Sequence, residues 1–101
     1  NSAGFDLVPG LEEYALGINF GEIWSRPQLD IKMRCAITLS ALTALGVEPQ
    51  IKSYVGYSLN AGWSTEEVAE MFVQCISYVG LPRALNGLRC AGEVFAERAP
   101  R

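Results

Sequence analysis

The sequence contains no histidine among its 101 residues. Histidine is the side chain that most readily serves as a general base near neutral pH, and it is the commonest metal ligand. Catalysis by a histidine base and metal binding by histidine are therefore both excluded. Charge is also scarce, since charged residues make up 19 % of the chain against about 25 % in average soluble proteins. The formal net charge of −3 argues against nucleic acid or an anionic membrane surface as the main partner.

Cysteine occurs only three times, as Cys35, Cys75 and Cys90. The number is odd, and no two of these residues have the CxxC spacing of a redox motif or a zinc knuckle. Because all three fall in apolar helical stretches, we interpret them as inert core residues, with a redox-active thiol as the alternative. Unpaired cysteines of this kind are typical of a reducing compartment, which predicts a cytoplasmic location.

Long apolar runs are absent as well. None approaches the roughly 18 residues of a membrane span, and no signal peptide is visible. Half of the residues are nonetheless apolar, and a chain this short cannot bury all of that surface efficiently. We expect one domain over residues 1–101 whose excess apolar surface forms a subunit interface.

Strand patterns are nearly absent, whereas apolar residues recur at helical spacing along the chain. Glycine and proline separate the helical segments, so the connecting loops are short and consecutive helices are expected to be antiparallel. The sequence therefore predicts an all-α, single-domain antiparallel bundle of about five to six helices. The predicted helices are Leu11–Trp24 with a break near Gly21, Ile31–Leu45, Pro49–Ala61, Thr65–Val79 and Arg83–Arg98.

Several predicted helix ends carry capping signals. Asp30 is a candidate N-cap of the second helix, and Gly46 is a natural C-cap for the same helix. Ser64 and Glu67 have the spacing of a capping box at the start of the fourth helix. After Arg34 the second helix is apolar or small almost all round, which indicates a helix surrounded by protein and predicts that it contributes to subunit contacts.

Three stretches, taken together, resemble one known family. They are GEIWSRPQLDIKMRCAITLSALTALG (Gly21–Gly46), LNAGWSTEEVAEMFVQCISYVGLPRA (Leu59–Ala84) and AGEVF (Ala91–Phe95). Their order and spacing are similar to those of the carboxymuconolactone decarboxylase family, from about Gly21 onward. The resemblance implies the all-helical, alkylhydroperoxidase D-like fold and assembly into homotrimers or hexamers. Members of the family include a decarboxylase of a muconolactone in aromatic catabolism.

The chain departs from this family at the positions that carry chemistry. The redox branch of the family uses a CxxCxxxH motif, but residues 46–56 contain neither cysteine nor histidine. The histidines of decarboxylase members fall on Tyr54, Gln74, Asn86 and Arg89. The chain therefore resembles a divergent member that lacks both the family histidines and the CxxC motif.

Two residues are candidates for catalysis. The resemblance implies an acidic pocket residue at Glu22, next to Trp24, and a carboxylate desolvated by an indole can donate or accept a proton. Alternatively, Glu22 is a helix-end carboxylate paired with Arg26 or Arg34. Tyr54 could donate a hydrogen bond to a substrate oxygen or carry a proton, with a helix-packing tyrosine as the alternative.

Five further residues are candidates for substrate binding. Arg34 could hold a substrate carboxylate bidentately, or it forms a structural ion pair. Trp24 would line the pocket beside Glu22. The three others stand at former histidine positions and would supply neutral donors and one cation, or they are polar residues of a surface or interface: Gln74, Asn86 and Arg89.

These residues lead to two main hypotheses for function. The first is a lyase without cofactor or metal that acts on a small carboxylated lactone or a related metabolite of aromatic catabolism. The second is a non-catalytic, small-molecule-binding oligomer of the same family, which the missing histidines favour. A thiol-dependent peroxidase is a third hypothesis, which requires Cys75 or Cys90 to face a pocket.

Overall fold

The computed structural model describes residues 4–100. Within them all regular structure is helical, and no strand occurs, which confirms the all-α prediction. The chain divides into two compact units, one ending at Asp30 and one beginning at Ile31. The single domain expected over residues 1–101 includes four residues that lie outside the described part, namely 1–3 and 101.

The first unit contains three short helical segments in succession. A 3-10 turn spans Phe5–Leu7, helix α1 spans Leu11–Leu16, and a π-helical segment spans Gly17–Ile23. The sequence predicted one helix over Leu11–Trp24 with a break near Gly21, and the placement of that break was wrong. The backbone changes at Gly17 instead, because a glycine in a helix interior stabilises regular α-helix poorly. The Trp24 N–H then donates to the Asn19 carbonyl, five residues earlier, at 2.9 Å.

The second unit is built from four helices whose bounds agree closely with the prediction. These are α2 (Ile31–Leu45), α3 (Glu48–Asn60), α4 (Thr65–Val79) and α5 (Leu81–Arg98). Every pair of these helices is in contact. The loops between them are short, so each helix packs against its sequence neighbours.

Two of the predicted capping signals are present in the structure, and the Asp30 N-cap of α2 stays a prediction. Gly46 has a φ of 73°, and its N–H donates to the Leu42 carbonyl at 2.9 Å, which closes α2. At the start of α4 the Ser64 hydroxyl accepts from the Glu67 N–H at 3.0 Å, and the Glu67 carboxylate accepts from the Ser64 N–H at 2.9 Å. Both halves of the predicted capping box are therefore present.

The core of the second unit combines residues of all four helices. Phe72 lies at its centre and is 1 % exposed. Its ring packs against Gly87 of α5, where a β-carbon would lie 2.5 Å from two ring carbons. The remaining members of the core cluster are Leu39, Ile51, Val55, Val68, Cys90, Ala91 and Val94.

Trp63 anchors the loop between α3 and α4 to the first turn of α2. Its indole N–H donates to the Lys32 carbonyl at 2.7 Å. The Lys32 ammonium lies 4.3 Å from the centroid of the Trp63 ring, a geometry that favours a cation–π interaction. Because these contacts join distant parts of the chain, they fix where α2 begins relative to α4.

One face of α2 consists of exposed apolar residues. Met33, Ile37, Ala41 and Leu45 recur at every fourth position, and all four are exposed. The opposite side carries Cys35, Leu39 and Thr43, which are buried. Within the second unit, the buried side of α2 fits the prediction of a helix surrounded by protein, and the exposed side does not. We refer to the exposed residues as the α2 stripe. Among residues 4–100 no helix is long and apolar enough to cross a membrane.

Candidate functional site

Tyr54 lies on the side of α3 that packs against the core. It is half-buried, and its ring meets the Tyr57 ring edge to face, with centroids 5.0 Å apart. Burial raises the pKa of the Tyr54 phenol, with smaller contributions from Tyr57 and Cys35. The phenol therefore stays protonated near neutral pH, so it can donate a hydrogen bond and is a poor base.

Asn86 and Arg89, two of the positions at which the family resemblance places histidines, are brought together on α5. The Arg89 guanidinium donates to the Asn86 side-chain oxygen at 2.6 Å. It also forms ion pairs with Glu48 at 2.7 Å and with Glu93 at 2.9 Å. Lys52 pairs with Glu93 at 2.6 Å. We call Glu48, Lys52, Arg89 and Glu93 the α3–α5 charge network.

The charge network holds each of its members in the ionised form. A hydrogen bond from Arg89 lowers the pKa of Glu48, and one from Lys52 lowers the pKa of Glu93. In turn, the pKa of Lys52 is raised chiefly by Glu93, and that of Arg89 chiefly by Glu48. None of these groups titrates near neutral pH, so the network supplies charge and hydrogen bonds rather than a proton.

The other sequence-predicted residues lie on other elements of the chain. Glu22 is exposed and belongs to the π-helical segment of the first unit, at whose end Trp24 lies half-buried with its ring 5.9 Å from that of Phe20. π-Helical turns are rare and often occur at functional sites. Arg34 lies in the first turn of α2 and is half-buried, whereas Gln74 is exposed on α4.

All three cysteines are free and buried. Burial raises the pKa of the Cys35 thiol, although a hydrogen bond with Ser58 opposes this, and burial also raises the pKa of Cys90. A buried thiol with a raised pKa forms little thiolate and reacts slowly. The arrangement fits the interpretation of core cysteines and gives the peroxidase hypothesis no support.

Sequence reasoning missed a groove between α3 and α5. We call it the α3–α5 groove; it is open and has a volume of about 340 Å³. The sequence does show small and polar residues at helical spacing along one side of α3. It does not indicate that α5 packs opposite these residues. The lining residues are Lys52, Ser53, Gly56, Tyr57, Asn60, Val94, Glu97 and Arg98.

In the part of the chain that the structure describes, no group of three or more cysteine, aspartate or glutamate side chains is placed to hold a metal ion.

Comparison with known proteins extends this description. The sequence model of the carboxymuconolactone decarboxylase family matches residues 9–93, so the match also includes the segment before Gly21. The 4-carboxymuconolactone decarboxylase of Acinetobacter baylyi is 35 % identical over 92 residues, which cover 91 % of this chain and 69 % of that protein. An uncharacterized 15.0 kDa protein from the nqo9–nqo10 intergenic region of Paracoccus denitrificans is 37 % identical over 93 residues, which cover 90 % of this chain and 69 % of that protein. The chain belongs to the carboxymuconolactone decarboxylase family.

Proposed function

We propose that this protein is a cofactor-independent lyase that releases CO2 from a small carboxylated lactone of the 4-carboxymuconolactone type. The observation that carries the proposal is the 35 % identity to a 4-carboxymuconolactone decarboxylase across 91 % of this chain. The matched region covers most of this chain rather than one motif.

The reaction makes two demands on the protein. Cleavage of the bond between the carboxylate carbon and the ring carbon leaves its electron pair on the substrate, where the developing negative charge must be stabilised. A proton must then be delivered to a substrate carbon. We assign the proton delivery to Glu22 and the stabilisation to the Tyr54 phenol, whose raised pKa keeps it a hydrogen-bond donor.

Substrate binding is assigned to the remaining candidates. Arg34 would hold a carboxylate, Trp24 would cover the lactone ring, and the amides of Gln74 and Asn86 would bind its oxygens. Arg89 contributes less than the sequence predicted, because Glu48 and Glu93 already occupy its guanidinium. Its main effect in this proposal is to orient Asn86, to which it donates at 2.6 Å.

The charge network also favours a second candidate function, a non-catalytic binding protein. Two of the positions at which the resemblance places histidines are committed to hydrogen bonds and ion pairs that cannot transfer a proton near neutral pH. A chain built in this way can retain affinity for a carboxylated metabolite after losing turnover.

The working form in this proposal is a homotrimer or hexamer in the cytoplasm. The exposed α2 stripe supplies an apolar surface for contact between copies. Three free cysteines suit a reducing compartment.

The decisive experiment incubates the purified protein with 4-carboxymuconolactone in the presence of EDTA. Turnover is followed by CO2 release and by NMR of the lactone product. We expect turnover in the wild type, its loss in Glu22→Gln, and a decrease of about tenfold or more in Tyr54→Phe, because a hydrogen bond to developing charge contributes on the order of 1.4 kcal/mol or more.

The matched control is Glu70→Gln, which makes the same change at an exposed glutamate of α4. It should retain wild-type turnover, and size-exclusion chromatography should show all variants in the wild-type assembly. Full turnover in Glu22→Gln would remove that residue from the mechanism. Saturable binding of the lactone without any CO2 release would establish the binding function instead.

A further inference from the structure

The α3–α5 groove is formed by one side of each of its two helices. The lining residues on α3 are Lys52, Ser53, Gly56, Tyr57 and Asn60. They follow one another at spacings of one or three residues, and those on α5 have the same helical spacing. The volume of about 340 Å³ falls within the range of small-molecule sites, which is roughly 300–1,000 Å³. The groove lies entirely within the second unit.

Arg98 is held across this groove by the backbone. Its Nη2 donates to the Gly56 carbonyl oxygen at 3.2 Å. A β-carbon at position 56 would lie 3.3 Å from that nitrogen, so a side chain there would shift the guanidinium slightly. One side chain of the groove is therefore positioned before any ligand arrives, which reduces the entropic cost of binding.

The guanidinium of Arg98 differs from that of Arg89 in its partners. Arg89 has two carboxylates within 3 Å, whereas among the described residues no carboxylate forms an ion pair with Arg98. Lys52, the other cation of the groove, is already paired with Glu93 at 2.6 Å. An arginine that is oriented by a backbone carbonyl and has no carboxylate partner within residues 4–100 is suited to bidentate binding of a carboxylate.

The remaining lining residues indicate what the rest of a ligand, beyond its carboxylate, would contact. The Tyr57 side chain is 51 % exposed and presents an aromatic ring, while Val94 is 8 % exposed and supplies an apolar wall. A flat apolar group can cover both. Glu97 lies in the same lining and would repel a second carboxylate on the ligand.

We propose that the α3–α5 groove binds a small, flat monocarboxylate. Its carboxylate pairs with Arg98 and its apolar part packs on Tyr57 and Val94. No residue of the groove lining is among those assigned to decarboxylation, although the Tyr57 ring contacts the Tyr54 ring. Benzoate binding is measured without turnover, so the test of this proposal does not depend on the proposed lyase activity.

Calorimetric titration of the whole protein with benzoate tests the proposal. We expect saturable binding, and we expect acetate and benzamide, which lack the ring and the charge respectively, to bind at least about tenfold more weakly. Arg98→Gln should weaken benzoate binding by a similar factor, because it removes the guanidinium. Gly56→Ala should weaken benzoate binding less, because a β-carbon 3.3 Å from Nη2 shifts the guanidinium only slightly. Amide chemical-shift changes should centre on residues 53–60 and 94–98.

Arg83→Gln is the matched control, since Arg83 is an exposed arginine at the opposite end of α5 and is absent from the groove lining. It should bind benzoate as the wild type does. Circular dichroism establishes that each variant keeps its helical content. The proposal would be overturned if benzoate did not bind saturably. It would also be overturned if Arg83→Gln and Arg98→Gln weakened benzoate binding equally.

Discussion

Gly87 allows α5 to pack closely against the aromatic ring at the centre of the core. A β-carbon there would lie 2.5 Å from two carbons of the buried Phe72 ring. We expect Gly87→Ala to lower the free energy of unfolding by about 1–3 kcal/mol, because overpacking forces the ring or the helix to move. Urea denaturation at a fixed protein concentration measures the change.

Gly92, on the same helix, provides the control for this prediction. Nothing lies within 4 Å of a β-carbon built at that position. Gly92→Ala should therefore raise stability by about 0.5–1 kcal/mol, since alanine loses less backbone entropy in a helix. If Gly87→Ala were as stable as Gly92→Ala, the contact with Phe72 would not be what excludes a side chain at position 87.

The individual site residues show how far sequence reasoning reaches. The pairing of Arg89 with Glu93 has the four-residue spacing of a helical ion pair, so it was accessible from the sequence. The pairing of Arg89 with Glu48 was not, because those residues are far apart in the chain and meet only when α3 packs on α5. The same holds for Arg98 and Gly56 in the groove.

At the scale of helices, the bounds of α2, α3 and α4 followed from glycine, proline and capping residues. α5 begins at Leu81 rather than at the predicted Arg83, because proline is compatible with the first turn of a helix. The π-helical segment could not be foreseen, since glycine indicates a weak α-helix without indicating which hydrogen-bond pattern replaces it.

The α3–α5 charge network makes the packing of these two helices depend on pH. The pKa values of Glu48 and Glu93 are lowered by their partners. A carboxylate with a lowered folded-state pKa contributes stability above its unfolded pKa of about 4.3 and loses that contribution as the pH falls through the folded value. Lys52 and Arg89 have raised pKa values, so their contribution is lost only at strongly alkaline pH.

We therefore expect Glu93→Gln to have a lower urea midpoint of unfolding than the wild type at pH about 7. The difference between the two midpoints should become smaller as the pH approaches about 3. High salt should also reduce the difference between the two midpoints, because the charge network is exposed to solvent and salt screens its ion pairs. Glu70→Gln removes an exposed glutamate outside the network and should leave the transition midpoint unchanged at both pH values. A difference between Glu93→Gln and the wild type that is constant with pH would contradict an electrostatic origin.

At the scale of the whole molecule, the fold class and the family could be predicted from the sequence, but the arrangement of the candidate site could not. Composition indicated excess apolar surface, and the structure gives part of it a location on the α2 stripe. The small residues Gly87 and Ala91 of α5, by contrast, are buried inside the chain. Small residues permit close packing against either a neighbouring helix or a second copy, and a sequence pattern alone does not distinguish these two cases.

The α2 stripe yields a prediction about assembly. Ile37 lies within the stripe and is 53 % exposed, so in a homo-oligomer that uses this surface its side chain would be buried against another copy. Ile37→Glu would place a charge in that contact, where burial without a partner is costly. We expect sedimentation velocity to give the wild type a mass that is a multiple of 11.0 kDa and Ile37→Glu a smaller mass. Gln50→Glu adds the same charge at an exposed polar position of α3 and should keep the wild-type mass. An unchanged assembly in Ile37→Glu would mean that the copies meet through a different surface and that the α2 stripe faces solvent.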